Sequence, residues 1–326
     1  MQSRLNLVRS ARFLAGLTAC VFGLVGTGAA LAAAPMVKTS APGYYRMMLG
    51  EFEVTALSDG TVDLPVDKLL TNTSAPELKK GLANSFESVP LETSVNAFLI
   101  NTGPKLVLID TGAGSLFGPT LGNLVSNLKA SGYQPEQVDE IFITHLHPDH
   151  VGGLVAAAKL VFPKATVRAD QRDADFWLSP ANLEKAPADA KGFFQGAMAS
   201  LDPYIKAGQF VPFDKDGELV PGIRSVATPG HTAGHNVYVV ESGGKKLVLW
   251  GDLIHVAAVQ FEDPSVTIQF DSDSKAAAVQ RKKAFADAAK SGYLVGAAHL
   301  PFPGLGHLRK QGNGYVWVPV NYSVVR

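Results

Sequence analysis

His145-Leu146-His147-Pro148-Asp149-His150 places three imidazoles and a carboxylate within six residues. The apolar run Ile141-Phe142-Ile143 stands just before it and reads as part of a buried strand from Val138 to Thr144. The 326-residue chain has only eight histidines, so three of them crowded behind one strand point to a metal site rather than to a solvated turn. More candidate ligands stand at three other strand ends. His231 follows Ile223 to Ala227, Asp252 follows Lys246 to Trp250, and His299 follows Tyr293 to Ala298. Ligands at the ends of neighbouring strands can converge on one edge of a sheet packing, and the recurring order of strand, ligand loop and helix argues an α/β architecture.

N-terminal to the cluster, Val95 to Asn101 and Leu106 to Ile109 read as a buried hairpin across Thr102-Gly103-Pro104, ending in the polar turn Asp110-Thr111-Gly112. Glu51 to Leu57 alternates and leads into Ser58-Asp59-Gly60-Thr61, a hairpin signal. Leu121 to Ala130 has helical spacing and closes at Gly132. C-terminal to the cluster, Val151 to Leu160 is expected to form a helix behind Gly152-Gly153, with Asp149 and His150 at its approach. Asp170 to Leu178, Lys191 to Ala207 and Lys275 to Lys290 read as helices, and Ser179 to Ala190, with two prolines, reads as a mobile loop.

The first 32 residues are a different kind of sequence. Arg4, Arg9 and Arg12 precede an apolar, Gly/Ala-rich run from Phe13 to Leu31, and Ala30-Leu31-Ala32 supplies an A-x-A cleavage site. This is an export signal leading to a periplasmic or secreted protein, with residues 33–326 as a single domain. The small-residue end favours cleavage over an uncleaved anchor, and the apolar run continuing past Cys20 argues against a lipid anchor at Leu17-Thr18-Ala19-Cys20. Cys20 is the only cysteine, so a chain cut after Ala32 contains no disulfide. The 29 basic residues less Arg4, Arg9 and Arg12 leave 26 against 29 acidic ones, which gives no electrostatic reason to bind nucleic acid or anionic lipid.

His145-Leu-His147-Pro-Asp149-His150, followed by His231, Asp252 and His299 and preceded by Asp110-Thr-Gly112, resembles the metallo-β-lactamase-fold hydrolases. That resemblance covers essentially the whole mature chain and implies an αββα sandwich holding two divalent metals. One metal would take His145, His147 and His231, the other Asp149, His150 and His299, with Asp252 bridging. Imidazole and carboxylate without thiolate suit zinc, the first choice, and also manganese, iron or cobalt. Two metals sharing a carboxylate can hold a bridging hydroxide at neutral pH and polarise the substrate oxygen. Asp149 reads first as a ligand and second as a proton shuttle to the leaving group.

A narrower resemblance, to exported methyl parathion hydrolases and their lactonase relatives, rests on Ala41-Pro-Gly-Tyr-Tyr-Arg46, Leu91-Glu-Thr-Ser-Val95, Lys191-Gly-Phe-Phe194 and the ending Val318 to Arg326. It implies a homodimer and an aromatic pocket from Phe117, Trp177, Phe193 and Phe270. His255 stands three residues after Asp252, where methyl parathion hydrolases carry Leu and acyl-homoserine lactonases carry Tyr. An imidazole there can hydrogen-bond a lactone oxygen as charge develops, or hydrogen-bond a metal ligand. The expected catalytic groups are therefore Asp149, Asp252 and His255. The expected reaction is opening of a hydrophobic or aromatic lactone such as dihydrocoumarin, with organophosphate triester hydrolysis as the alternative.

Overall fold

Two sheets, each assembled in chain order, position everything that follows. The first runs β1 (Tyr44–Leu49), β2 (Phe52–Leu64), β3 (Leu91–Asn101), β4 (Leu106–Ile109), β5 (Glu140–Phe142) and β6 (Thr166–Arg168). Its first four strands are antiparallel, while β4, β5 and β6 run parallel. The second runs β7 (Gly217–Val220), β8 (Ile223–Ala227), β9 (Asn236–Ser242), β10 (Lys245–Leu249), β11 (Leu294–Gly296), β12 (Leu305–Gln311) and β13 (Gly314–Pro319). Only β10 and β11 are parallel there. Between and after the strands come α1 (Leu124–Ala130), α2 (Pro148–Val151), α3 (Gln171–Trp177), α4 (Pro180–Lys185), α5 (Lys191–Lys206) and α6 (Ser274–Ser291).

This computed structural model describes residues 34–325, and its compact unit begins at Ser40. The export signal read in residues 1–32 lies outside the described residues. Among the described residues no helix is long and apolar enough to cross a membrane.

Alternation along each strand decides what its side chains meet. Phe98 and Ile100 of β3 and Val107 and Ile109 of β4 face Tyr238, Val240, Leu247 and Leu249 of the second sheet. Ala97, Leu99, Leu106 and Leu108 turn the other way, onto Leu124 and Leu128 of α1 and Ala197 and Leu201 of α5. Val239 and Val248 lie on the outer face of the second sheet and pack with Phe285 and Ala288 of α6. The layers are helix, sheet, sheet, helix, as expected. Both faces of the central strands are covered, which is why they read as continuous apolar runs. Each such side chain contributes about 1.5–3 kcal/mol when fully buried.

Three local expectations fail, the first two for long-range reasons and the third for a local one. The chain reverses at Gly50-Glu51, not at Ser58 to Thr61; β2 runs on through a bulge between Ser58 and Gly60. The turn-like Asp59 accepts instead from the backbone N–H groups of Ala113 (2.9 Å), Gly122 (3.0 Å) and Leu124 (3.0 Å). Val151 to Leu160 is not a helix: a 3₁₀ turn spans Gly152–Leu154, and Val155–Ala156 pairs with Lys159–Leu160. Gly153 donates to the Gly112 carbonyl at 3.0 Å, and a Cβ on it would collide with the Thr111 carbonyl oxygen. The backbone is tied sideways to the Asp110 turn and cannot coil. Ser179 to Ala190 is part helix, since Ser179 caps α4 by accepting from Asn182 N–H and Pro180 occupies the first helical position.

Candidate active site

The seven expected metal ligands meet at one edge of the two sheets. Beyond β5, Thr144 donates its N–H and its hydroxyl to the two oxygens of Asp110, both at 2.8 Å, which ties the end of the strand to the Asp110 turn. Pro148 then opens α2, placing Asp149 and His150 within the helix rather than before one. His231, Asp252 and His299 arrive on the loops after β8, β10 and β11. Two groups result, His145, His147, His231 and Asp252 in one and Asp149, His150, His299 and Asp252 in the other, each with ligand atoms within 4.8 Å of one another. Asp252 is common to both. Its Oδ2 lies 3.3 Å from His231 Nε2 and 3.2 Å from His299 Nε2, and its Oδ1 lies 3.2 Å from His150 Nε2.

These residues fit a pair of divalent cations. His145 Nε2, His150 Nε2 and Asp252 Oδ1 are buried and have no hydrogen-bond partner, although buried polar atoms are normally paired. Burial, then the neighbouring His150 and His231 respectively, hold His145 and His147 well below the usual imidazole range, so both offer neutral ligand nitrogens. Burial opposes ionisation of Asp252, but His150, His299, His255 and His145 outweigh it and hold the carboxyl well below its usual value. For His231, burial favours the neutral ring, yet Asp252 and Asp271 push it up to about 9. The cluster thus draws in positive charge, which a cation supplies while leaving the rings neutral.

A second contact orients most of the imidazoles. His150 Nδ1–H donates to Asp110 Oδ2 (2.8 Å), His231 Nδ1–H to Asp271 Oδ1 (2.9 Å) and His299 Nδ1–H to the Ser94 carbonyl (2.9 Å). Each bond selects the tautomer whose Nε2 is free to ligate. The sequence reading missed Asp271 and also His235, whose Nε2 accepts from Asp252 N–H at 3.1 Å while Nδ1 pairs with Thr228 Oγ1 at 2.8 Å. The doubled pattern in Thr228-Pro-Gly-His231-Thr-Ala-Gly-His235 is the signal that could have exposed His235. His307 is apart from the site, exposed on β12.

Above the ligands lies a cavity of about 260 Å³ bordered by Val62, Leu64, Val95, Phe117, Leu121, Phe193, His255 and Phe270. Phe117 is 41% exposed at its mouth. Trp177 lines an adjoining cleft with Pro187 and Asp189 instead, its ring edge against His147 at 5.1 Å between centroids. His255 Nε2 is 3.0 Å from Asp252 Oδ2, and its Nδ1 has no protein partner. Burial lowers His255 to about 4 against the pull of Asp252, so the ring is neutral at pH 7. A larger cleft of about 500 Å³ between the second sheet and α6 holds no such ligand cluster.

A layered αββα fold with a shared-carboxylate histidine cluster at its sheet edge defines a class of metal-dependent hydrolases. Residues 91–313 match the Metallo-beta-lactamase superfamily, and the chain belongs to it. It is similar to the crystal structure of the hydrolase AbOPH in the beta lactamase superfamily, at 38% identity and a TM-score of 0.84 over 88% of this chain and 100% of that one. It is also similar to AidC, a dizinc quorum-quenching lactonase solved with an N-acyl homoserine product, at 29% identity and a TM-score of 0.81 over 86% and 99% of the two chains. The N-acyl homoserine lactonase of Bacillus cereus is 26% identical over 212 residues, 59% of this chain and 76% of the relative.

Proposed function

We propose that this protein opens the ring of a hydrophobic, aromatic lactone of the dihydrocoumarin kind, with neutral phosphotriesters of the methyl parathion kind as weaker substrates. The observation that carries this reading is the placement of both ligand groups beneath an apolar cavity walled by Phe117, Phe193 and Phe270. Among the described residues no Lys or Arg lines that cavity, so it suits a neutral ester better than an anionic one. The likeness to AidC and to the Bacillus cereus lactonase supports the lactone over the phosphotriester.

Two divalent ions held by these seven residues would supply Lewis acidity toward the substrate oxygen and a water acidic enough to act as nucleophile near neutral pH. The chain's own groups do the rest. Phe193 and Phe270 cover the apolar body of the substrate and exclude bulk water. Asp149, half-buried on the cavity wall, can take the proton released by the attacking water and hand it to the departing oxygen, in addition to acting as a ligand. His255 carries one ring proton, and its contact with the Asp252 carboxylate uses it. Nδ1 therefore faces its surroundings as an acceptor, which supports a positioning role on Asp252 in place of the expected donor to the substrate.

The test is kcat/KM of the zinc-loaded protein on dihydrocoumarin and on methyl parathion, each repeated with His255→Leu. The lactone is expected to be favoured by at least about 100-fold, and the substitution to narrow that ratio by removing the imidazole's hold on Asp252 and making that part of the cavity wall apolar. Preference for methyl parathion in the unsubstituted protein would reverse the order of the two readings. Turnover of neither would overturn the substrate class.

A further inference from the structure

Asp173 on α3 is fully buried and makes no ion pair with Lys or Arg among the described residues. Its hydrogen bonds go to two different ligand loops. Oδ2 accepts from the N–H of Leu146, the residue between His145 and His147, at 2.9 Å, and from the Thr232 hydroxyl at 2.9 Å. Oδ1 accepts from Gly234 N–H at 2.6 Å. Thr232 follows His231 directly and Gly234 stands two residues further on. One carboxylate thus fastens the loop after β5 in the first sheet to the loop after β8 in the second. A Cβ on Gly234 would lie 2.8 Å from Asp173 Oδ1, so glycine is what admits the carboxylate.

The other ligand group leans on different partners. His150 bonds Asp110 and His299 bonds the Ser94 carbonyl. Asp110 bonds no ligand of the first group itself and reaches His145 only by way of the preceding residue, whose N–H and hydroxyl it accepts. The sheets themselves stay tied without Asp173, because Asn236 N–H donates to the Thr144 carbonyl at 2.9 Å and the Tyr238 hydroxyl to the Ile143 carbonyl at 2.7 Å. Loss of Asp173 removes the carboxylate that ties the two ligand loops to each other and leaves the sandwich docked.

We propose that Asp173 is a positioning residue for one of the two metal sites only. It sets the spacing of His147 Nδ1 and His231 Nε2, 3.1 Å apart, and so the affinity of the group His145, His147, His231 and Asp252. The group Asp149, His150, His299 and Asp252 depends on Asp110 instead. This inference rests on the two-metal reading of the site. Burial without a counter-charge pushes Asp173 up to about 6, a cost that the three donors partly offset. An apolar side chain there would avoid that cost but could not span the two loops.

A competitive zinc titration against a chromophoric chelator, with bound metal counted by mass spectrometry, tests this on the full chain and on Asp173→Asn and Asp110→Asn. The unsubstituted protein must bind two equivalents; fewer would overturn the two-metal reading itself. Given two, Asp173→Asn should keep one tight equivalent and bind the other about 10- to 100-fold more weakly. Anomalous diffraction at the zinc edge should then find the retained ion beside Asp149, His150 and His299, and beside His145, His147 and His231 in Asp110→Asn. Two wild-type affinities in Asp173→Asn, or an equal weakening of both, would overturn the inference, since a merely structural role lowers stability without separating the two. If Asp173→Asn does not fold, Thr232→Val removes one of the three bonds and decides the matter: a several-fold weakening of the same single equivalent supports the proposal, and an unchanged titration overturns it.

Discussion

His150, His231 and His299 at the floor of the cavity are each buried and each fixed from behind by a hydrogen bond of 2.8–2.9 Å. Phe117, Phe193 and Phe270 at its rim are held only by packing, with Phe193 and Phe270 6.1 Å apart and Phe117 open to solvent. Hydrogen bonds to charged groups contribute about 1.5–3 kcal/mol and act in one direction. Aromatic pairs contribute about 0.5–1.5 kcal/mol beyond their buried area and tolerate a range of angles. The floor is therefore built to hold atoms in place and the rim to cover surface. Chemistry and substrate choice are separable in this site, and substitutions in the two regions should move different kinetic constants.

The largest effect is expected at Asp252, which both ligand groups share. Asp252→Ala should lower kcat/KM on dihydrocoumarin by about 1000-fold or more, because several kcal/mol of metal-supplied stabilisation is lost at about 1.4 kcal/mol per tenfold. Chelation should inactivate the unsubstituted protein to a similar extent, with zinc restoring it but not the variant. A loss no larger than a rim substitution gives would break the contrast between floor and rim.

The next effect in size separates support from ligation. His235 is buried, and burial followed by the charge of His231 lowers it to about 3 from 6.5. Between those values the unfolded chain carries a proton on this ring that the folded chain does not, so stability falls as pH falls through the window. At pH 5 the loss attributable to His235 is about 2 kcal/mol relative to pH 8. Urea denaturation at both pH values, with a chelator present, should show His235→Gln losing less on acidification than the unsubstituted protein by about that amount. Equal losses would mean that the Asp252 N–H contact does not depend on a neutral His235.

The contrast between floor and rim also explains what could be read from the amino-acid order. His145 to His150 was legible because four ligands are contiguous and follow an apolar strand, and the remaining three stand one to a strand end. Asp173 was not, since its partners Leu146 and Gly234 lie 27 and 61 positions away and only the packed sandwich brings them together. The same holds for Asp59, whose local Ser-Asp-Gly signal suggested a turn while its carboxylate serves a loop more than 50 residues on. Trp177 was expected to share one hollow with Phe117 and borders the adjoining one, beside His147, Phe193 and Phe270, because nothing local to an aromatic residue says which of two adjoining hollows its ring will border. Directional chemistry leaves a pattern in sequence where its members are close together; covering surface leaves little.

The smallest effect tests the rim alone. Phe270 borders the cavity between Phe193 and His255, with centroids 6.1 and 6.4 Å away, and is not a candidate ligand. Phe270→Ala removes apolar wall and leaves Asp252 and every residue that hydrogen-bonds it unsubstituted, His255 included. For an aromatic lactone KM should rise about tenfold, equivalent to about 1.4 kcal/mol of lost contact, while kcat stays within about twofold. For a small aliphatic lactone that does not reach the rim, both constants should hold. A fall in kcat with KM unchanged would show that Phe270 acts through His255 on Asp252. The rim would then be part of the machinery that holds the floor, and the separation of chemistry from substrate choice would fail at that contact.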